Sequence, residues 1–325
     1  MILPNKYNSI SSIDSEINQL NNNLQKMISA KHPILYAAAK HLFKAGGKRI
    51  RPIIILNIAI STTPNKTILP EHKRLAEITE IIHTASLVHD DVIDDCETRR
   101  GIETVHNTFN TKVAVLSGDF LFAQSSWYLA NLNNLEVVKT ISKVITDFAE
   151  GEVRQSLNQF NIKTSIEDYI EKSFYKTASL LASSCQGTAM LSKSTQKLIN
   201  DFYLYGKHIG LAFQIIDDIL DIIGYSDTLG KPAGSDLKNG NLTAPILFAL
   251  TENNNIQKTI DDEFQNPEDI NNTIYCIKKS RGIQKAKDLA QEHIQIAIDI
   301  IHKNNLHEQN NSLITISELI INRIK

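Results

Sequence analysis

Apolar residues recur along this chain mainly at three- and four-residue steps, as in Leu20, Leu24 and Met27 or Leu116, Phe120 and Ala123, with polar residues between them. That period predicts helix nearly throughout, and 13 glycines and 8 prolines in 325 residues leave few places to interrupt it. Breaks are expected at Gly46-Gly47, Ser61 to Thr67, near Gly101, Asn131 to Asn134, after Phe160, near Ser192, Gly224 to Asp236 and Gln265 to Pro267. None is long or polar enough for a flexible linker. The expectation is an all-α protein, a single large helical bundle forming one domain over residues 1–325, with residues 1–13 and 303–312 loosely held.

Two stretches depart from ordinary amphipathic helix. LVHDDVIDDCETRRG (Leu87 to Gly101) sets Asp90 and Asp94 one helical turn apart on one face, Asp91 beside them, and Arg99 and Arg100 just beyond. GLAFQIIDDILDII (Gly210 to Ile223) is apolar almost all round, so Asp217, Asp218 and Asp221 point into an interior and need cations or hydrogen-bond donors there. Carboxylates in i, i+4 pairs on two facing helices make an all-oxygen site suited to Mg²⁺, which keeps waters and bridges to phosphates. Taken alone, the first cluster reads equally well as a solvated acidic turn.

The surrounding cations change the picture. AGGKRIRP (Ala45 to Pro52) reads as a helix stop whose glycines let backbone approach a ligand, with Lys48 and Arg51 three residues apart. Arg99, Arg100 and Lys231 add donors suited to phosphate oxygens. His83 lies two turns before Asp90 on a similar face, and Gln214 one turn before Asp217.

A formal charge of −2 and a pI near 6.6 argue against a nucleic-acid partner. Cys96, Cys185 and Cys276 lack CxxC spacing, so neither a disulfide scaffold nor a thiolate zinc site is expected. The most apolar run, Ile50 to Ile60, is too short to span a bilayer and carries Arg51 and Asn57. The opening residues have neither a secretory h-region nor an arginine-rich transit pattern, and a mature start near Met1 is expected.

With GGKRIRP, LVHDDVIDDCETRRG, YKTASL (Tyr175 to Leu180), AFQIIDDILD and GKPAGSD in this order and spacing, the sequence resembles the trans-isoprenyl diphosphate synthases, or polyprenyl synthetases. The stretch Leu116 to Val153 is most similar to the cyanobacterial and plastid-encoded branch, whose members make long products such as solanesyl diphosphate. The resemblance implies an all-α homodimer with a central cavity, of isoprenoid synthase type. It implies Mg²⁺ on Asp90 and Asp94 with Asp217 opposite and Asp221 among the metal-site residues, supported by Asp91 and Asp218. It further implies Arg99, Lys176, Thr177, Gln214 and Lys231 at an allylic diphosphate, and Lys48, Arg51, His83 and Arg100 at isopentenyl diphosphate. Many relatives carry lysine where this chain has Asn241, so one cationic contact is missing.

Such an enzyme ionises the allylic diphosphate, adds the isopentenyl double bond to the carbocation and releases a proton. Ala85 and Ser86, five and four residues before Asp90, lie roughly 6 to 8 Å down the helix at about 1.5 Å per residue. Both are small, which predicts a product longer than farnesyl, or alternatively only close helix packing. A terpene cyclase would not need Lys48, Arg51 and Arg100, and a non-catalytic partner subunit would be expected to lose an aspartate cluster. A short-chain geranylgeranyl synthase is the other catalytic reading. The asparagine-, isoleucine- and lysine-heavy usage fits a plastid stroma or a bacterial cytoplasm, with a quinone side chain as the product's destination.

Overall fold

The computed structural model describes residues 13–44, 46–99, 101–224, 234–266, 268–306 and 311–324. Arg100 and Lys231, and the GKPA of GKPAGSD, lie outside the described residues, as do residues 1–12 of the segment expected to be loose.

The described chain is almost entirely helical, in keeping with the expected all-α bundle. Its helices run α1 (Asp14–Met27), α2 (Pro33–Lys44), α3 (Ile50–Thr62), α4 (Pro70–Ile93), α5 (Val105–Thr108), α6 (Thr111–Ala130), α7 (Leu135–Leu157), α8 (Ile166–Ser173), α9 (Ser179–Leu191) and α10 (Gln196–Ile223). After these come α11 (Ser235–Lys238), α12 (Ala244–Leu250), α13 (Asn254–Asp261), α14 (Asp269–Lys279), α15 (Gly282–Lys303) and α16 (Ser312–Ile321). Some helix ends fall at glycine, proline or asparagine, as at Thr62 before Pro64, Ala130 before Asn131 and Ile223 before Gly224, whereas α4 ends before Asp94-Asp95 and α9 before Ser192-Lys193. One short hairpin, β1 (Thr98–Arg99) against β2 (Ile102–Glu103), pairs antiparallel with Arg99 opposite Ile102. No described helix is long and apolar enough to cross a membrane.

The chain forms two compact units: Met1–Val144 with Leu180–Gly206 and Ile298–Ile316, and Ile145–Ser179 with Lys207–Ala297 and Ser317–Lys325. In the first unit, Leu20, Leu24, Ile55, Leu56, Ile81, Ala85 and Leu121 from α1, α3, α4 and α6 make one buried cluster. Ile13 belongs to that cluster at 0% exposure, which corrects the expectation that residue 13 is loose. A buried isoleucine contributes roughly 1.5–3 kcal/mol, enough to anchor the start of α1. The expectation for 303–312 is corrected likewise, since Leu306 and Ser312 are buried and Asn304 donates to Asp201 at 3.0 Å. Residues 307–310 of that stretch are outside the described residues.

α4 carries the first aspartate cluster and begins on Pro70, where His72 Nδ1 accepts from the Leu69 N–H at 3.2 Å. The His72 ring is fully buried, and Nε2 meets Ser192 Oγ at 3.0 Å. Burial pushes the imidazole pKa down to about 4, against the smaller opposing pull of Glu71. A neutral ring is what an accepting Nδ1 requires.

The second unit is built on the apolar residues of α10, with Ile215, Ile216, Ile219 and Ile222 all at 0% exposure. α8 starts in a reciprocal cap, Ser165 Oγ accepting from the Asp168 N–H and Asp168 Oδ2 from the Ser165 N–H, each at 3.0 Å. It runs into a π-helical turn, Phe174–Ala178, before α9. Gly210 makes close packing possible here. A Cβ on it would lie 2.6 Å from the Ala178 Cα, so only glycine lets α10 approach the π turn this closely.

Candidate active site

In the first unit α4 ends at Ile93, but its turn geometry persists one residue further. The Asp94 N–H donates to the Asp90 carbonyl at 2.8 Å, and Asp95 then turns left-handed at φ 50°. Asp90 and Asp94 therefore keep their one-turn spacing, half-buried, at the C-terminal end of the helix. The helix dipole is negative there and favours a cation. Asp91 points the other way and is 3% exposed. Its Oδ1 accepts from Arg99 Nε at 2.7 Å and Nη2 at 2.6 Å, an ion pair that fastens β1 to the end of α4. Burial opposes the arginine's charge, but the Asp91 hydrogen bond and the charges of Asp91 and Asp90 outweigh it and raise the Arg99 pKa.

A cleft opens beside this pair, lined by His41, Arg49, Glu80, His83, Asp91 and Arg99 among others. His83 and Arg99 are thus brought together, with Leu42, Leu87 and Val105 as apolar wall. Arg49, which the sequence pattern did not single out, caps α3 at φ 50° and forms a buried ion pair with Glu80 on α4. Its Nε also donates to Asn21 Oδ1 at 3.0 Å, so Arg49 fixes the loop that carries Lys48 and Arg51. Lys48 is exposed and Arg51 half-buried. The only hint in the sequence is a glutamate three residues before His83.

In the second unit the π turn carries Lys176 and Thr177. Lys176 Nζ pairs with Glu152 of α7 at 2.6 Å, and Thr177 Oγ1 donates to Gln214 Oε1 at 2.7 Å. Gln214 Nε2 donates in turn to Asp218 Oδ1 at 2.8 Å, the one-turn contact that helix spacing predicts. Asp218 Oδ2 accepts from the buried Tyr169 hydroxyl at 2.6 Å. Burial, then the charge of Asp236, raise the Asp218 pKa to about 7 against the pull of Tyr169, Lys172 and Gln214.

The three acids of α10 are not equally buried. Asp218 and Asp221 are 3% and 2% exposed, whereas the Asp217 side chain is 38% exposed and pairs with Arg323 at 2.7 Å. That differs from the expectation of three interior acids, because the helix face bearing Asp217 is the one not covered by apolar neighbours. Asp221, expected among the metal-site residues, accepts from Ser235 Oγ at 2.9 Å and the Asp236 N–H at 3.3 Å, and so holds the start of α11.

Lys172 meets the missing cation at Asn241. Its Nζ donates to Asn241 Oδ1, and it lies over the Tyr169 ring, 5.5 Å from the centroid. Burial lowers its pKa, while Asp218 and Asp236 pull it up. Gly240 sets Asn241 in place: it sits at φ +68° with the Phe160 ring 2.4 Å from where a Cβ would be, so no other residue fits. Lys172, one turn after Tyr169 and one turn before Lys176, was legible only as part of an amphipathic helix.

Among the described residues no three histidine, cysteine, aspartate or glutamate side chains gather into a ready-made metal site. The donors still fit Mg²⁺. In the first unit the half-buried carboxylates of Asp90 and Asp94, and in the second unit that of Asp217, each offer hard oxygen ligands, and that ion takes one or two carboxylates and fills its other places with water and phosphate.

Residues 32–278 match the polyprenyl synthetase family model. The chain is 64% identical over 286 residues to a prenyl transferase of Porphyra purpurea, covering 88% of each chain. It is 48% identical over 289 residues to the chloroplastic solanesyl-diphosphate synthase 2 of Oryza sativa subsp. japonica, covering 88% of this chain and 72% of that one. Among solved structures, heptaprenyl diphosphate synthase from Staphylococcus aureus superimposes with a TM-score of 0.90 at 32% identity, over 95% of this chain and 98% of the other. With glycine-bordered cationic loop, aspartate-ended helices and helical fold all in place, the chain belongs to the polyprenyl synthetase family of prenyl-transferring enzymes.

Proposed function

We propose that the chain is a Mg²⁺-dependent prenyltransferase that condenses isopentenyl diphosphate with an allylic diphosphate into a long-chain all-trans polyprenyl diphosphate, destined for a quinone side chain. The observation that carries this reading is the cleft of the first unit, where Arg49, His83 and Arg99 meet the buried acid of an aspartate-ended helix. Asp90 and Asp94 bind Mg²⁺ in the first unit, Asp217 is a metal ligand of the second cluster in its own unit, and Asp221 braces the segment that follows α10. When bound, Mg²⁺ neutralises the diphosphate that leaves, where most charge develops. Lys48, Arg51, His83 and Arg100 bind the isopentenyl diphosphate, and Arg99, Lys176 and Lys231 the allylic one, with Lys172 standing in for the cation absent at Asn241. Asp91 and Asp218 act by holding Arg99 and Gln214, and Thr177 and Gln214 present oxygen atoms toward developing positive charge. No covalent nucleophile is needed, and the displaced diphosphate accepts the proton.

The relatives named for heptaprenyl and solanesyl products support a long chain, and Ser86 keeps the wall below the aspartates small. Exposed Leu116 and Trp127, at 50% and 60%, lie about three turns apart on one side of α6 and support a homodimer. Algal and chloroplastic relatives support a plastid stroma, with a bacterial cytoplasm as the other setting.

The test is incubation of purified protein with labelled isopentenyl diphosphate, Mg²⁺ and primers of several lengths, followed by sizing of the products. Products of more than four isoprene units are expected, and absence of elongation with every primer overturns the reading. Light scattering tests the dimer.

A further inference from the structure

We infer that Tyr169 is a positioning residue for the reaction proposed above, acting through Asp218 and Gln214 on Thr177. The inference rests on that functional reading and names a residue that no diphosphate-binding motif includes.

Four side chains of the second unit form one directional relay. A tyrosine hydroxyl and an amide NH₂ both donate to the Asp218 carboxylate, Tyr169 to Oδ2 at 2.6 Å and Gln214 to Oδ1 at 2.8 Å. The carboxylate thereby fixes which way the Gln214 amide points, since only its nitrogen can serve an acceptor. Gln214 Oε1 is left facing the π turn, and it takes the single proton of Thr177 Oγ1 at 2.7 Å. Thr177 consequently offers only lone pairs to anything else.

Tyr169 stands at the inner end of this relay. It is 1% exposed, its ring carries Lys172, and its hydroxyl donates its one proton to Asp218. At 2.6 Å this contact is at the short end of the hydroxyl–oxygen range. Without it Asp218 is free to turn, Gln214 is free to invert, and Thr177 can present its proton where lone pairs are needed. The ring sits deep beneath the π turn, so its effect is on orientation and not on contact with substrate.

The test compares wild type, Tyr169→Phe, Asp218→Asn and the double variant in two assays. The first is calorimetric binding of inorganic pyrophosphate with Mg²⁺, and the second is steady-state condensation. Tyr169→Phe is expected to lower kcat by roughly tenfold, the scale of one lost hydrogen bond, with pyrophosphate binding and the KM for isopentenyl diphosphate unchanged, since the lone pairs of Thr177 face developing positive charge and not the anion. In the Asp218→Asn background the same substitution is expected to do nothing further. Wild-type kcat in Tyr169→Phe, or an equal loss of kcat in both backgrounds, overturns the inference, as does a parallel loss of pyrophosphate binding, which marks general damage to the site. Should Tyr169→Phe be insoluble, Asp218→Asn alone must show the same split between kcat and KM, and a uniform loss in both overturns it. A wild-type chain that neither binds Mg²⁺–pyrophosphate nor condenses substrates overturns the functional reading and this inference with it, whereas an active wild type beside an unaffected Tyr169→Phe overturns the inference alone.

Discussion

The guanidinium of Arg323, near the end of the chain, donates from Nη2 to Asp217 Oδ1 at 2.7 Å and lies over the Phe213 ring, 4.6 Å from its centroid. A cation of the protein thus occupies the most exposed carboxylate of the second cluster. A metal at Asp217 must compete with it, and an ion pair this exposed is worth about 0.2–1 kcal/mol. Arg323→Ala is therefore expected to lower the Mg²⁺ concentration for half-maximal turnover by roughly threefold, following the same range. A rise in that concentration on titrating Mg²⁺ would show that Arg323 helps instead of competing.

Lys172 Nζ donates to Asn241 Oδ1. Lys172→Met keeps the stem and removes the charge, so the KM for the allylic diphosphate should rise by about tenfold, a charged hydrogen bond's worth, while the KM for isopentenyl diphosphate stays put. Varying each substrate separately distinguishes this from a general loss.

Asp91 and Arg99 form a pair that is buried on one side only, 4% against 35% side-chain exposure. Removing the acid leaves a half-buried guanidinium without its partner. Asp91→Asn should cost roughly 2 kcal/mol, below the 3–5 of a fully buried pair because water screens Arg99. The urea midpoint reads this directly, and an unchanged midpoint counts against a fastening role for the pair.

Product length should respond to Ser86 more cleanly than to Ala85. Ala85 is 0% exposed inside the core cluster of the first unit, so phenylalanine there overpacks it, at about 1–3 kcal/mol or more. Ser86 is half-buried, with its hydroxyl on the His83 carbonyl at 3.0 Å. Ser86→Phe is expected to shift products toward shorter chains with little loss of stability. Chromatographic sizing against wild type decides, and an identical distribution removes the argument from small residues.

Stability should fall on mild acidification through His72. Its folded pKa of about 4 lies below the ordinary 6.5, so between those values the unfolded chain takes up a proton that the folded chain refuses. The contribution is complete above about pH 6.5 and shrinks as pH drops, by roughly 2 kcal/mol at pH 5. Urea unfolding at pH 7.5 and 5.0 should show a smaller difference for His72→Gln than for wild type.

The sequence by itself determined the helices, several of their ends, as at Pro64, Asn131 and Gly224, and the one-turn contacts inside a helix. Asp90 with Asp94 and Gln214 with Asp218 follow from a fixed rise and twist per residue, which no tertiary neighbour alters. Tertiary structure alone decided which carboxylates are spent on protein partners. Arg99 on Asp91, Ser235 on Asp221, Arg323 on Asp217 and Tyr169 on Asp218 join residues from 8 to 106 positions apart. Periodicity reports which face of a helix is apolar, but a buried charge is balanced by whichever donor the fold brings within about 3 Å, and that depends on the packing of other segments.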